Sequence, residues 1–74
     1  MSKLSRNVKP NRLIKAFLKI GFEEYKRKGS HRRLRHSDGR WTQIPIHPKP
    51  IPQGTLRKIL NQTGISNEEL ENIY

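Results

Sequence analysis

The stretch that decides the fold is Phe22-Glu23-Glu24-Tyr25-Lys26-Arg27-Lys28-Gly29-Ser30-His31-Arg32-Arg33-Leu34-Arg35-His36-Ser37-Asp38-Gly39-Arg40-Trp41-Thr42-Gln43-Ile44-Pro45-Ile46. Three runs in it can extend, Phe22 to Lys28, His31 to His36 and Trp41 to Ile46, separated by Gly29-Ser30 and by Ser37-Asp38-Gly39. Both separators are turn chemistry, because glycine supplies left-handed backbone and aspartate bonds its own main chain, so the economical reading is an antiparallel three-stranded meander. Successive side chains of a strand point to opposite faces. Arg33 and Arg35 flank Leu34, so the middle strand is expected to turn Leu34 toward helices and leave one strongly basic face outside.

Working outward, Pro10 suits the first turn of a helix, where its missing N–H costs nothing. Leu13, Ala16, Phe17 and Ile20 then recur at helical spacing, Ile14 and Leu18 widen the stripe, and Gly21 stops it, which predicts a helix over about residues 10 to 20. Beyond the meander, Pro48, Pro50 and Pro52 exclude both a central strand and a helix interior and require an extended connector. Leu56, Ile59, Leu60 and Thr63 predict a second helix over residues 54 to 63, ending at Gly64 with Ile65 placed for the apolar contact of a glycine cap. Ser66 and Glu69 have capping-box spacing and lead into Leu70, Ile73 and Tyr74, a short third helix. Residues 1–9 read as a basic N-terminal arm and residues 10–74 as one domain. The fold class is α+β, helix-strand-strand-strand-helix with a short C-terminal helix, the helices covering one face of the sheet.

Composition narrows the function. Sixteen Lys and Arg against six Asp and Glu give a formal charge of +10, which favours a polyanionic partner. The imbalance sits in the middle of the chain: Glu68, Glu69 and Glu71 lie near its end, while Lys26, Arg27, Lys28, Arg32, Arg33, Arg35 and Arg40 surround His31 with only Asp38 among the residues between His31 and Arg40 as a counter-charge. With no cysteine, neither disulfides nor a Cys-rich zinc site is available. No apolar run approaches the roughly 18 residues of a membrane span, and Met1 to Arg6 lack the apolar stretch of a secretory signal, so a cytoplasmic location is expected. The basic cluster lacks the apolar helical face of an interfacial anchor.

Histidine is the side chain whose ordinary pKa, about 6.5, suits proton transfer in both directions near neutrality. His31 follows Gly29-Ser30, where backbone and substrate can approach closely. It reads either as a general base toward a ribose 2′-hydroxyl, or acid toward a leaving oxygen, or as a simple cap of the turn. His36 reads as ordering the Ser37-Asp38-Gly39 turn, and His47 as a bridge to backbone or an auxiliary group at the same surface. The three histidines match no usual zinc spacing and no carboxylate cluster accompanies them, so no metal is expected. There is no phosphate loop, no nucleophile elbow, and no carboxylate pair near the basic surface of the kind two-metal nucleases need. Cleavage of nucleic acid would then use the 2′-hydroxyl as nucleophile, which selects RNA, with Lys28, Arg32, Arg33 and Arg35 holding phosphates beside the Gly29-Ser30 turn. Tyr25 and Trp41 read as base-stacking groups or as half-buried packing, packing being favoured for Trp41.

The motifs Gly21-Phe22, Lys28-Gly29-Ser30-His31, Arg35-His36-Ser37-Asp38-Gly39-Arg40, Ile44-Pro45-Ile46-His47 and Gly54-Thr55-Leu56-Arg57-Lys58-Ile59-Leu60, followed by Gly64-Ile65-Ser66, stand in an order and spacing that resembles the HicA toxins from about residue 10 to residue 70. The resemblance implies a double-stranded-RNA-binding-like fold and an mRNA interferase without cofactor, the toxin of a type II toxin–antitoxin pair neutralised by a HicB-like antitoxin. It also implies that the histidine of the Gly-Ser-His motif, His31, is catalytic. The sequence departs from the family at Arg32, where many relatives carry a second histidine, and at Arg33, where an apolar residue is common. The same composition also suits two other classes, a non-catalytic RNA-binding module and an interaction protein whose cationic face docks an acidic partner.

Overall fold

The computed structural model describes residues 7–74. Helix α1 spans Pro10–Lys19, strands β1, β2 and β3 span Phe22–Lys28, His31–His36 and Trp41–Pro45, and helices α2 and α3 span Gln53–Thr63 and Asn67–Ile73. The strands form one antiparallel sheet in the order β1-β2-β3. This is the expected α+β order, and helices on one face of such a sheet give it the double-stranded-RNA-binding-like arrangement.

Helix α1 begins with proline at its first turn and buries Pro10, Leu13, Ile14, Ala16 and Phe17. The stripe is narrower than predicted: Leu18 is 46% exposed, because it lies on the far flank of the arc that Leu13 and Phe17 centre on the core. Gly21 ends the helix with φ at +101°, and a Cβ there would stand 2.8 Å from Nε2 of His36, so both the backbone angle and the close approach require glycine.

The β1–β2 hairpin turns on two residues, with Lys28 paired to His31 and Gly29 at φ +58°, the glycine-first form of a tight hairpin. Strand β1 is irregular between Glu24 and Lys26, where Tyr25 is the extra residue of a bulge. At the other turn, Asp38 accepts the Arg40 N–H at 3.0 Å and the Arg40 Nε–H at 2.8 Å. The Arg40 guanidinium also donates to the carbonyl of Thr63 at 2.7 Å, joining the hairpin to the end of α2.

One core joins the layers. Val8, Leu13, Phe17, Phe22, Leu34, Ile44, Leu56, Ile59 and Leu70 are its most enclosed members. Burial of this order contributes about 1.5–3 kcal/mol per large apolar side chain relative to leaving it exposed. Thr42 and Thr63 are also buried, their hydroxyls bonded to Gln62 Oε1 and to the Ile59 carbonyl, and among the described residues every buried side-chain N or O has a partner. The proline-rich connector lays Ile51 into the core, its N–H donating to the carbonyl of Val8 at 2.8 Å.

The packed unit therefore begins earlier than the arm expected over residues 1–9 allows. Val8 is fully buried and Lys9 N–H donates to the Tyr74 hydroxyl, while residues 1–6 lie outside the described residues. At the other end the capping box forms as read: Ser66 Oγ accepts from Glu69 N–H at 3.1 Å and Glu69 Oε1 from Ser66 N–H at 3.2 Å. Arg12 stacks over the Tyr74 ring, 4.2 Å from its centre, and docks this short helix on α1. Among the described residues no helix is long and apolar enough to cross a membrane.

Candidate functional site

Strand register sorts the cations. On the face turned away from the helices, three cross-strand rows run Lys28–His31–Pro45, Lys26–Arg33–Gln43 and Glu23–Arg35–Trp41. On the helix side stand Arg27–Arg32–Ile44 and Glu24–Leu34–Thr42, with Phe22 opposite His36. Leu34 points inward and fully buried, and Arg33 and Arg35 point outward, as the alternation requires.

Arg32 lies apart from the other cations expected to hold phosphates. Two residues from Leu34, it shares the inward face, and its guanidinium lies 3.5 Å from Glu24, which also accepts a 2.9 Å bond from Arg27. The Arg27 hydrogen bond, with the charges of Arg27 and Arg32 added, holds the Glu24 carboxyl below its ordinary value against the opposing effect of desolvation. Arg40 is likewise committed: its backbone N–H, then its side chain, hold Asp38 below the usual carboxylate range. Three of the seven cations around His31 thus serve structural carboxylates, and the open face keeps Lys26, Lys28, Arg33 and Arg35. Arg33 donates to Gln43 Oε1 at 3.0 Å and Arg35 lies over the Tyr25 ring at 4.8 Å, both neutral partners, while Glu23, opposite Arg35 in the register, is the carboxylate in this face's rows.

The histidines part company. His36 is structural: its Nδ1 accepts the Asp38 N–H at 3.2 Å, its Nε2 lies 3.1 Å from the Ile20 carbonyl, and its ring meets Phe22 edge-on at 5.1 Å. Asp38 Oδ2 also lies 3.1 Å from Nδ1, so the ring is held from both of its nitrogens. His47 is exposed and accepts the Lys49 N–H, lining a largely apolar hollow with Pro10, Pro45, Pro50, Ile51 and Pro52 rather than the depressions beside His31. His31 is exposed on the open face, and among the described residues no side chain bonds its ring. Its position is fixed by the backbone, through the pairing of Lys28 with His31 and the bond from Ile46 N–H to the Ser30 carbonyl.

Two depressions meet at His31. One, of about 270 Å³, is lined by Lys28, His31, Arg33 and Gln43. The other is a groove of about 410 Å³ in which His31, Trp41, Gln43 and Pro45 face Thr55, Lys58, Ile59 and Gln62 of α2. Lys58 brings a cation to the imidazole from outside the meander. Reading the sequence missed it, since nothing in the local pattern of α2 says which flank of the helix borders the sheet. Trp41 is half exposed in this groove, open rather than committed to packing. Its place was legible, because Thr42 and Ile44 are the inward residues of β3 and Trp41 and Gln43 alternate with them. A separate hollow between α2 and α3, about 330 Å³, offers Arg57 as its one ionisable side chain and no group suited to proton transfer.

A helix-backed sheet of this topology, with its cations gathered on the uncovered side, defines a small basic domain of the double-stranded-RNA-binding-like class. A sequence model described as the HicA toxin of bacterial toxin–antitoxin systems matches residues 10–65. That is more than half of the chain, and the chain belongs to the HicA toxin family, the toxin side of a toxin–antitoxin pair. No match is found among the curated proteins.

Proposed function

We propose that this toxin is a metal-independent endoribonuclease that cuts mRNA with His31 as its proton-transfer group, and that a HicB-like antitoxin restrains it in the cytoplasm. The observation that carries the reading is the placement of one exposed imidazole where a cationic depression and a groove meet. Lys28 and Arg33 hold the phosphates next to the cut and Lys26 and Arg35 those further along, while the Gly29-Ser30 turn lets the backbone come close. Arg32 supports this surface from behind. His47 has no place in the step.

In the reaction the ribose 2′-oxygen attacks the adjacent phosphorus, the bond from phosphorus to the 5′-oxygen breaks, and a 2′,3′-cyclic phosphate and a free 5′-hydroxyl result. His31 takes the 2′ proton or delivers one to the leaving 5′-oxygen, water serving the other transfer, and Lys28, Arg33 or Lys58 offsets the charge that builds on the phosphorane. The test is incubation of purified protein with RNA in EDTA. Scission by the wild type and none by His31→Ala, with RNA affinity kept, is the expected result. Binding without scission by the wild type would favour the non-catalytic RNA-binding module instead. A cognate antitoxin is expected to cover the open face and to compete with RNA; a bound antitoxin that leaves RNA affinity intact would refute masking.

A further inference from the structure

We infer that the groove between β3 and α2 is a channel for single-stranded RNA, with Trp41 as the platform on which a base beside the cut site stacks. The inference rests on the nuclease reading for where the cut falls, but the argument for the channel is independent of it. Trp41 is the only tryptophan of the chain, and half of its surface is open. Among the described residues no aromatic ring or guanidinium stacks on it, whereas the Tyr25 ring is occupied by Arg35 and the Tyr74 ring by Arg12.

The groove's chemistry fits a nucleotide. One wall carries the Lys58 ammonium, and no carboxylate lines the groove. Gln43 and Gln62 spend their amide oxygens on Arg33 and Thr42, which leaves the NH2 groups to donate to base carbonyls. A volume of about 410 Å³ is that of a small-ligand site. A duplex cannot use it, because paired bases stack on one another and hide the faces that Trp41 would meet. Trp41 stands four residues along β3 from Pro45, the register partner of His31, roughly 13 Å at the rise of a strand. At that distance the stacked base is not the cleaved nucleotide's own, and Trp41 is a positioning residue rather than a catalytic one.

The test uses full-length His31→Ala protein, so that binding is read without scission, and a short mixed-sequence RNA labelled with fluorescein, alone or annealed to its complement. Anisotropy reports binding, and the emission of Trp41 reports stacking. The single strand is expected to quench that emission and the duplex to leave it unchanged. Trp41→Ala is expected to weaken single-strand binding by about 5- to 150-fold, the range measured for removing one base–aromatic stack, and Trp41→Phe to restore most of the loss. Single-strand binding with Trp41 emission unmoved, or equal quenching by the duplex, would overturn the channel. Quenching as expected together with no scission by the wild type in EDTA would leave the channel standing and remove the nuclease.

Discussion

Arg32 and Arg33 are neighbours in sequence but lie on opposite faces of β2, and exchanging each for glutamine separates the faces by a measurement. The open face and groove offer five cations to a phosphate backbone: Lys26, Lys28, Arg33, Arg35 and Lys58. For a single strand, each neutralised phosphate adds about 0.7 to the slope of log affinity against log salt, so five engaged contacts give a slope of about −3.5. Affinity should then fall about 130-fold between 50 and 200 mM salt in roughly those conditions, and only about 50-fold once Arg33→Gln removes one contact. Arg32→Gln should leave the slope unchanged. Its effect belongs to folding, where a partly exposed ion pair is worth about 0–1 kcal/mol, since Glu24 keeps its bond to Arg27. The assay is anisotropy with labelled single-stranded RNA across a salt series, in a His31→Ala background, with urea unfolding of the same variants. A slope reduced as much by Arg32→Gln as by Arg33→Gln would refute the division of charge between the faces.

Gly21→Ala should destabilise the domain by about 1–3 kcal/mol in urea unfolding, since it forces a side chain into left-handed backbone against the ring of His36. His36→Ala should cost about 2–3 kcal/mol through the lost bonds to Ile20 and Asp38 and the lost contact with Phe22, whereas His31→Ala should change stability by less than about 0.5 kcal/mol; equal costs for the two would show their roles misassigned. Leu34→Ala, at a fully buried site, should cost about 2–5 kcal/mol. Glu24 and Asp38 are held below their ordinary values of 4.5 and 3.8, so the unfolded chain binds more protons in that range and stability rises with pH. Their contribution is complete above about pH 4.5 and is lost as pH falls through the lowered folded values, and urea midpoints for Glu24→Gln should show a flatter acid limb than wild type.

Much of the architecture was legible because separate local signals agreed. Pro10 and Gly21 bounded a helix, two glycine turns cut the meander into strands, and Ser66 with Glu69 announced the last helix. Alternation around Leu34 gave the outward face of Arg33 and Arg35, and the same rule places Arg32 inward beside Glu24. Strand β1 was harder, since the bulge at Tyr25 breaks the period and puts Lys26 where a regular strand would turn it inward. Val8 carries no local signal of its burial, since it is a single apolar side chain among polar ones and is enclosed only when the connector and α1 arrive beside it. Lys58 could not be assigned to the site from its own helix, because the neighbourhood of β3 and α2 is made by residues on both, Thr42 with Gln62 and Arg40 with Thr63.

Those two tethers have a mechanical consequence. They fasten α2 to the sheet at the end of the groove beside Trp41, while at the opposite end, where Pro45 faces Thr55, residues 46–52 join β3 to α2 through the chain itself and are anchored by the buried Ile51. Both ends of the groove are therefore tied, one by hydrogen bonds and the other by the chain, which holds its two walls at a set separation. A strand entering as inferred above would meet a slot of fixed width rather than one that yields to it.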